Sequence, residues 1–180
     1  ITPLTFVMVF LVIRYLRSGP GKVFGDRIKL ESPIFGRLFS KMYMARFART
    51  SSTLMASGVA MLEILQITER AVGNIHVGKS VNEASKKVKG GKALSDSLEN
   101  APYFLSLVPQ MIRIGEQSGA LSDMLLKTAV FYEDELDNDI KALSTIIEPV
   151  LLVVLALVAA VIVGAILFPV YNLVGQTLKV

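Results

Sequence analysis

An uninterrupted apolar run near the carboxyl end constrains this chain more than any other feature. Val150 to Phe168 contains 19 consecutive residues without a charged or strongly polar side chain. At about 1.5 Å of rise per residue, a helix of this length spans roughly the 30 Å of a bilayer core. A chain of 180 residues is too small to enclose such a helix on every side. The run therefore predicts a transmembrane helix over residues 146–174, followed by a short outer-side tail at 175–180.

A second apolar segment opens the sequence. Ile1 to Ile13 is apolar but short for a membrane span, and Arg14 and Arg17 follow it. The positive charges of a signal peptide precede its apolar run, so this order argues against one. We interpret residues 1–17 as a partial transmembrane helix, the cut end of a longer span in a fragment of a larger protein.

The charged residues fall into blocks of opposite sign. Arg14 to Arg49 holds nine basic and two acidic residues, whereas Ala101 to Glu148 holds three basic and eight acidic ones. Basic residues beside a span favour the cytoplasmic side, which places the middle of the chain in the cytoplasm and makes the protein multi-pass. The overall charge of +4 is too small an excess to indicate a nucleic-acid partner.

Between the two apolar segments, the sequence predicts helices separated by short breaks. Apolar residues recur at helical spacing, glycines and prolines interrupt the pattern, and no strand-like alternation competes with it. We therefore predict an all-α fold, in which a six-helix antiparallel cytoplasmic bundle at 39–145 is flanked by transmembrane helices. A basic linker at 18–38 precedes the bundle, and the last helix of the bundle runs straight into the membrane.

The composition excludes several kinds of site. The chain has no cysteine and one histidine, His76, which excludes a disulfide framework, thiolate metal sites and a His-rich metal centre. The basic loop Lys86–Lys92 lacks the Ser or Thr that follows the lysine of a phosphate-binding loop, and no strand precedes it. We predict no catalytic, cofactor-binding or metal site. If the protein takes part in an energy-driven process, the ATPase is therefore a separate partner protein.

The densest charge feature is the acidic cluster Glu133–Asp139. On a helix, Glu133 faces Asp137 and Glu135 faces Asp139 at i,i+4, and each like-charge pair costs a few tenths of a kcal/mol. Three interpretations stay open: a solvated face, contact with a basic surface of a partner or of the protein's own basic block, and a divalent-cation site.

Two further features belong to the predicted span. Glu148 and Pro149 stand at its entrance, where a proline removes a helix hydrogen bond and predicts a hinge. Within it, Ala156, Ala160 and Gly164 recur every fourth residue. This small-residue spacing permits close approach of membrane helices and favours helix association.

Five separated motifs carry a family resemblance. They are Phe47-Ala-Arg-Thr50 with Leu54-Met-Ala-Ser-Gly-Val59, Gly90-Gly-Lys-Ala-Leu94, Met111-Ile-Arg-Ile-Gly-Glu-Gln-Ser-Gly-Ala-Leu121, Tyr132-Glu133 and Ile147-Glu-Pro149. In this order, with a span after the last, they resemble the type II secretion F family. That family comprises the inner-membrane platform proteins of type IV pili (PilC-like) and of type II secretion systems (GspF-like). The resemblance covers roughly residues 32–175.

The resemblance implies a non-enzymatic platform in a bacterial or archaeal inner membrane. Such a protein seats a hexameric cytoplasmic assembly ATPase and helps pilin or pseudopilin subunits into a growing filament, together with copies of itself and other inner-membrane assembly proteins. Because members carry two six-helix domains and about three spans, this chain resembles the carboxyl-terminal half. The family fingerprint falls on Gly115, Glu116, Ser118, Gly119, Glu133, Glu148 and Pro149.

The residues themselves argue against two other functions. A membrane-bound aspartyl peptidase needs paired aspartates at or within the membrane, and residues 150–180 contain no aspartate. A channel subunit needs polar residues along a pore, and from Val150 onward the chain has none before Asn172 and Gln176. Both functions are therefore disfavoured.

Overall fold

The computed structural model describes residues 19–33 and 35–177, and this part of the chain contains seven helices and no strand. The all-α prediction is confirmed. The helices are α1 (Gly19–Glu31), α2 (Gly36–Ala56), α3 (Met61–Ala71), α4 (Ile75–Lys89), α5 (Leu94–Leu98), α6 (Leu107–Ser118) and α7 (Leu121–Thr177).

Helix α1 lies in the segment that the sequence predicts to be a basic linker. Its Asp26 is only 3% exposed, and the Asp26 carboxylate accepts a hydrogen bond from the backbone N–H of Ile75 at 3.1 Å. The Asn74 side-chain amide donates to the Asp26 carbonyl, also at 3.1 Å. These contacts attach α1 to the first turn of α4, where unpaired N–H groups favour a negative charge. The first turn of α1 is Gly19-Pro20-Gly21. Proline is common at this position, although it interrupts the interior of a helix.

The core of the bundle is built from the buried faces of α2 to α7, and Leu30 of α1 joins it. Its largest fully buried side chains include Phe47 and Met44 from α2 and Leu65 from α3. The ring of Phe47 packs edge-on against Phe104, with centroids 5.1 Å apart. Aromatic pairs in this geometry gain energy beyond the area that they bury.

Helices α2 and α7 run antiparallel along a polar seam. Ser52 and Ser122 exchange hydrogen bonds, each hydroxyl donating to the other's carbonyl, at 3.0 and 3.3 Å. Farther along α7, Glu135 forms an ion pair with Lys41, which precedes Ser52 on α2. The contacts therefore follow opposite orders along the two helices, as the predicted antiparallel bundle requires.

Helix α7 is the longest element, and it passes from one compact unit to another. The first unit ends at Asp137 and the second begins at Asn138, inside this helix. Among the described residues, α7 is the one helix long and apolar enough to cross a membrane, over Leu121–Ala165. Every described side chain from 147 to 165 is exposed.

Some predictions concern residues outside the described ranges. The partial span at 1–17 lies entirely outside them. Of the tail predicted at 175–180, the structure describes residues 175–177, which form the end of α7. The boundaries predicted for the bundle at 39–145 and for the transmembrane helix at 146–174 stay predictions.

Candidate functional site

The corner between α5, α6 and α7 brings together four of the predicted fingerprint residues, and Glu116 is its centre. Helix α5 has five residues and no capping side chain of its own, so its first N–H groups need outside partners. The Glu116 carboxylate accepts from the backbone N–H of Leu94 at 2.7 Å and of Ser95 at 3.3 Å. It also accepts from the Ser95 hydroxyl. Glu116 therefore caps α5 from the neighbouring helix α6.

Gly115 lets α6 and α7 approach each other without an intervening side chain. It is buried, and a Cβ at this position would lie 2.7 Å from the Cα of Leu121 and 3.2 Å from the Cβ of Met124. A methyl group cannot fit at those distances unless the α7 backbone moves. The absence of a side chain at position 115 therefore sets the spacing of the two helices.

Gly119 and Ser118 end α6 so that the chain can turn into α7. Gly119 has φ 71° and ψ 9°, the left-handed conformation that terminates many helices. A residue with a Cβ pays roughly 1–2 kcal/mol to adopt it. The Ser118 hydroxyl donates to the carbonyl of Ile114 at 2.7 Å, satisfying an acceptor near the helix end. Only Ala120 separates Gly119 from α7.

Arg113 adds a second link between α5 and α6. Its guanidinium donates to the Asp96 and Glu99 carboxylates, both at 3.0 Å. Hydrogen bonding to Glu99, and then to Asp96, raises the pKa of Arg113. Because all three groups are exposed to solvent to a large degree, this linkage is a weak one.

The acidic cluster of α7 is partly neutralised by the protein's own basic block. Glu133 accepts two hydrogen bonds from the Arg49 guanidinium, one from Nε at 2.9 Å and one from Nη2. Lys41 Nζ lies 2.8 Å from the Glu135 carboxylate. Hydrogen bonding to Glu133 is the main cause that raises the pKa of Arg49. For Glu133 and Glu135, these contacts support the interpretation in which α2 is the basic surface.

Other members of the acidic cluster lie in different surroundings. Asp134 and Asp137 are exposed, and Asp139 is half-buried in the second unit. Within the described part of the chain, no three or more His, Cys, Asp or Glu side chains are placed to hold a metal ion. Glu133 and Glu135 are thus paired with α2, whereas Asp134 and Asp137 face solvent.

Tyr132 lies beside the paired carboxylates, on the buried face of α7. It is 4% exposed, and burial, followed by the nearby Glu135 charge, raises the pKa of Tyr132 to about 12. Lys41 acts in the opposite direction. The phenol therefore stays neutral over the physiological range and serves as a packed core group.

The remaining predicted residues lie farther along α7, apart from the corner. Glu148 and Pro149 are exposed, and the helix continues on both sides of the proline. Ala156, Ala160 and Gly164 are also exposed, and a Cβ at Gly164 would have no other atom within 4 Å. The hinge at Pro149 and helix packing through the small residues stay predictions.

Sequence reasoning missed Arg49, Lys41 and Asp26 as individual residues. Arg49 and Glu133 are 84 positions apart, and pairing them requires knowing that α2 and α7 are neighbours. Asp26 gave a weak signal as one of two acidic residues in a basic block, but its partner is a backbone N–H of α4. No spacing rule along the sequence connects either pair.

Comparison with known proteins assigns these elements to a recognised domain. The family model for type II secretion system protein F matches residues 47–169, which include the α5–α6–α7 corner and most of the apolar part of α7. The matched segment is more than half of the chain.

Curated relatives resemble this chain over most of its length. Type IV pilus assembly protein PilC of Thermus thermophilus is 38% identical over 171 residues, covering 94% of this chain and 42% of the relative. The protein of the same name from Myxococcus xanthus is 38% identical over 88% of this chain and 38% of its own length. Type II secretion system protein F of Pseudomonas aeruginosa is 38% identical over 80% of this chain and 36% of its own length. The chain thus spans about two fifths of the length of these relatives.

Proposed function

Because the chain belongs to the family of type II secretion system protein F, we propose that it is part of an inner-membrane platform protein of a type IV pilus or type II secretion machine. Relatives named for pilus assembly and for secretion match it about equally well. The platform works by contact and catalyses no reaction itself. It seats the cytoplasmic assembly ATPase and helps pilin or pseudopilin subunits into the filament.

The observation that carries this proposal is the dual character of α7. One side of its first part packs into the bundle through Leu125, Ala129 and Tyr132. Its later part, Val150 to Ala165, is apolar with every side chain exposed. A helix that is apolar on all sides without protein around it suits a lipid environment. The same helix thus belongs to a water-facing domain and supplies a membrane anchor.

The fingerprint residues fit a platform because they hold the bundle rigid. Glu116 holds α5 on α6, Gly115 holds α6 on α7, and Gly119 sets the turn between those helices. A movement imposed on α5 or α6 by an ATPase therefore reaches α7 through close contacts. In this proposal Pro149 is the hinge at which that movement enters the membrane.

The apolar part of α7 is the surface on which membrane partners act in this proposal. Ala156, Ala160 and Gly164 form a shallow stripe, which suits the helix of a pilin subunit, of another assembly protein or of a second platform copy. The helical bundle is cytoplasmic in this proposal, in keeping with the positive-inside rule and the basic block before α3.

Substitutions at Glu116 test the proposal in a cell that assembles filaments. Glu116→Ala leaves the first N–H groups of α5 without their acceptor, so we expect loss of filaments or secretion and loss of ATPase co-purification. The variant protein should still accumulate in the membrane. Glu116→Gln keeps an acceptor oxygen and should retain partial function. Glu83→Ala removes an exposed carboxylate of α4 and serves as the matched control.

The result that would contradict the proposal is specific. If Glu116→Ala accumulates normally and yields normal filament numbers and normal ATPase recovery, the α5–α6–α7 corner does not transmit movement from the ATPase to α7. If the variant fails to accumulate, Gly119→Ala provides the second test, because it strains one backbone position without removing a hydrogen-bonding group.

A further inference from the structure

Helix α1 presents apolar side chains on the face opposite its attachment to the bundle. Phe24 is 63% exposed and Ile28 is 51% exposed, one helical turn apart. Asp26 and Leu30, on the other face, are 3% and 9% exposed. A phenylalanine and an isoleucine that share an exposed face indicate an interaction surface more strongly than scattered apolar residues do.

This face is held in a fixed orientation. The buried Asp26 accepts from the Ile75 N–H, and the Asn74 amide donates to the Asp26 carbonyl. Rotating α1 to bury Phe24 against the bundle would break both hydrogen bonds and expose Leu30. The outward position of Phe24 and Ile28 therefore follows from contacts on the opposite side of the helix.

Basic residues flank the apolar face. The Arg27 side chain is 61% exposed and pairs with Glu31 one turn later, and the Lys29 side chain is 47% exposed and pairs with the buried Asp26 at 3.2 Å. The surrounding block from Arg14 to Arg49 has nine basic and two acidic residues. Apolar residues beside exposed cations, in a strongly basic segment, complement the boundary between acyl chains and anionic headgroups.

The position of α1 along the chain brings it close to a membrane. The apolar run Ile1–Ile13 ends six residues before Gly19, where α1 begins. Six residues reach at most about 20 Å even when fully extended. If that run lies in a bilayer, the start of α1 cannot be farther than this from the point where the chain leaves the apolar layer.

We propose that α1 is an interfacial helix that rests on an anionic lipid surface. Phe24 and Ile28 enter the boundary between headgroups and acyl chains, while Arg27 and Lys29 contact lipid phosphates. The bundle is thereby attached to the membrane at α1 as well as through α7. This inference rests on the proposed membrane placement of the chain.

Site-specific fluorescence tests the inference, because the chain has no cysteine and single-cysteine variants carry one label each. Phe24→Cys and Ile28→Cys report on the face of α1. Lys92→Cys, in the exposed α4–α5 loop, is the water-facing control. Leu157→Cys, in the apolar part of α7, is the bilayer control. Each variant of the full chain is labelled with bimane and reconstituted into phosphatidylcholine vesicles with or without phosphatidylglycerol.

We expect spin-labelled lipid to quench the probes at positions 24 and 28 several-fold more than the probe at 92. Iodide in the aqueous phase should quench them less than the probe at 92. Removing phosphatidylglycerol, or adding Arg27→Glu, should reduce the lipid quenching at 24 and 28 and leave that at 157 unchanged.

Three outcomes would overturn the inference. Lipid quenching at 157 together with full iodide quenching at 24 and 28 would place α1 in water, while the membrane anchor of the proposed function stands. Protection of 24 and 28 from both quenchers would mean that protein covers this face. Absence of lipid quenching at 157 would reject the membrane placement itself, and the inference with it.

Discussion

The first and later parts of α7 belong to one helix but differ in how their apolar residues are arranged. From Leu121 to Asp137, buried and exposed positions alternate with the helical period, and Leu125, Ala129 and Tyr132 mark the buried stripe. From Val150 to Ala165, every residue is apolar and every side chain is exposed. The same backbone thus presents one apolar stripe in the bundle and an apolar surface on all sides beyond it.

This difference shows what each part of the helix needs from its surroundings. A single stripe is satisfied by packing against protein, because the opposite face can meet water. An apolar surface on all sides is satisfied only by lipid or by other membrane helices. The acidic cluster begins near the end of the first part, and its paired residues Glu133 and Glu135 hold that end against α2.

The same leucine-to-alanine substitution in both parts of α7 tests whether the two parts differ in their packing against protein. Leu125 is 1% exposed and Leu157 is 63% exposed. Leu125→Ala leaves a cavity in a packed core and should lower the free energy of unfolding by about 2–5 kcal/mol. Leu157→Ala should lower it by less than about 1 kcal/mol, since it only reduces contact with lipid or detergent. Denaturant unfolding followed by circular dichroism in detergent measures both. Equal losses would mean that the apolar part is also packed against protein.

A double-mutant cycle on Arg49 and Glu133 measures how strongly the end of the first part of α7 is held against α2. The two side chains are 41% and 43% exposed, so we expect a coupling free energy of about 0.2–1 kcal/mol from the single and double alanine variants. The charge-swap variant Arg49→Glu with Glu133→Arg should recover most of the stability lost by either single reversal. A swap that restores stability but not ATPase co-purification would assign a partner contact to this pair as well.

A base titration tests the buried stripe in the first part of α7. Burial, followed by the Glu135 charge, raises the pKa of Tyr132 to about 12, above the ordinary value near 10. The neutral phenol therefore stabilises the fold fully below about pH 10, and this contribution is lost as the pH rises through about 12. In ultraviolet absorbance titrations, Tyr132→Phe should remove a late-titrating component. An unchanged titration curve would show that another tyrosine is responsible for it.

Much of the fold follows from local sequence signals. Glycines interrupt the helical pattern of the sequence, and Gly58, Gly73 and Gly119 have positive φ angles at helix ends. Leu125, Ala129 and Tyr132 recur at helical spacing on α7, and all three are buried. These features depend on neighbours within a few positions of the chain, so a sequence contains them directly.

Other features depend on contacts that no local pattern encodes. Ala71 continues the helical spacing of apolar residues on α3, but it is exposed, while Ile64 and Val72 are buried. Helix α1 lies in the segment predicted as a basic linker, and its Asp26 caps a distant helix. The resemblance names Glu116 as a fingerprint residue, but only the fold shows that its carboxylate caps α5.

The account depends most directly on α7 passing from water into a membrane as one helix. Single-cysteine variants Val130→Cys and Leu157→Cys place one thiol on an exposed position of each part in a chain with no other cysteine. In inside-out membrane vesicles, which expose the cytoplasmic face, a membrane-impermeant maleimide should modify position 130 readily and position 157 only after the membrane is dissolved in denaturing detergent. Equal modification of both thiols in intact vesicles would contradict the account.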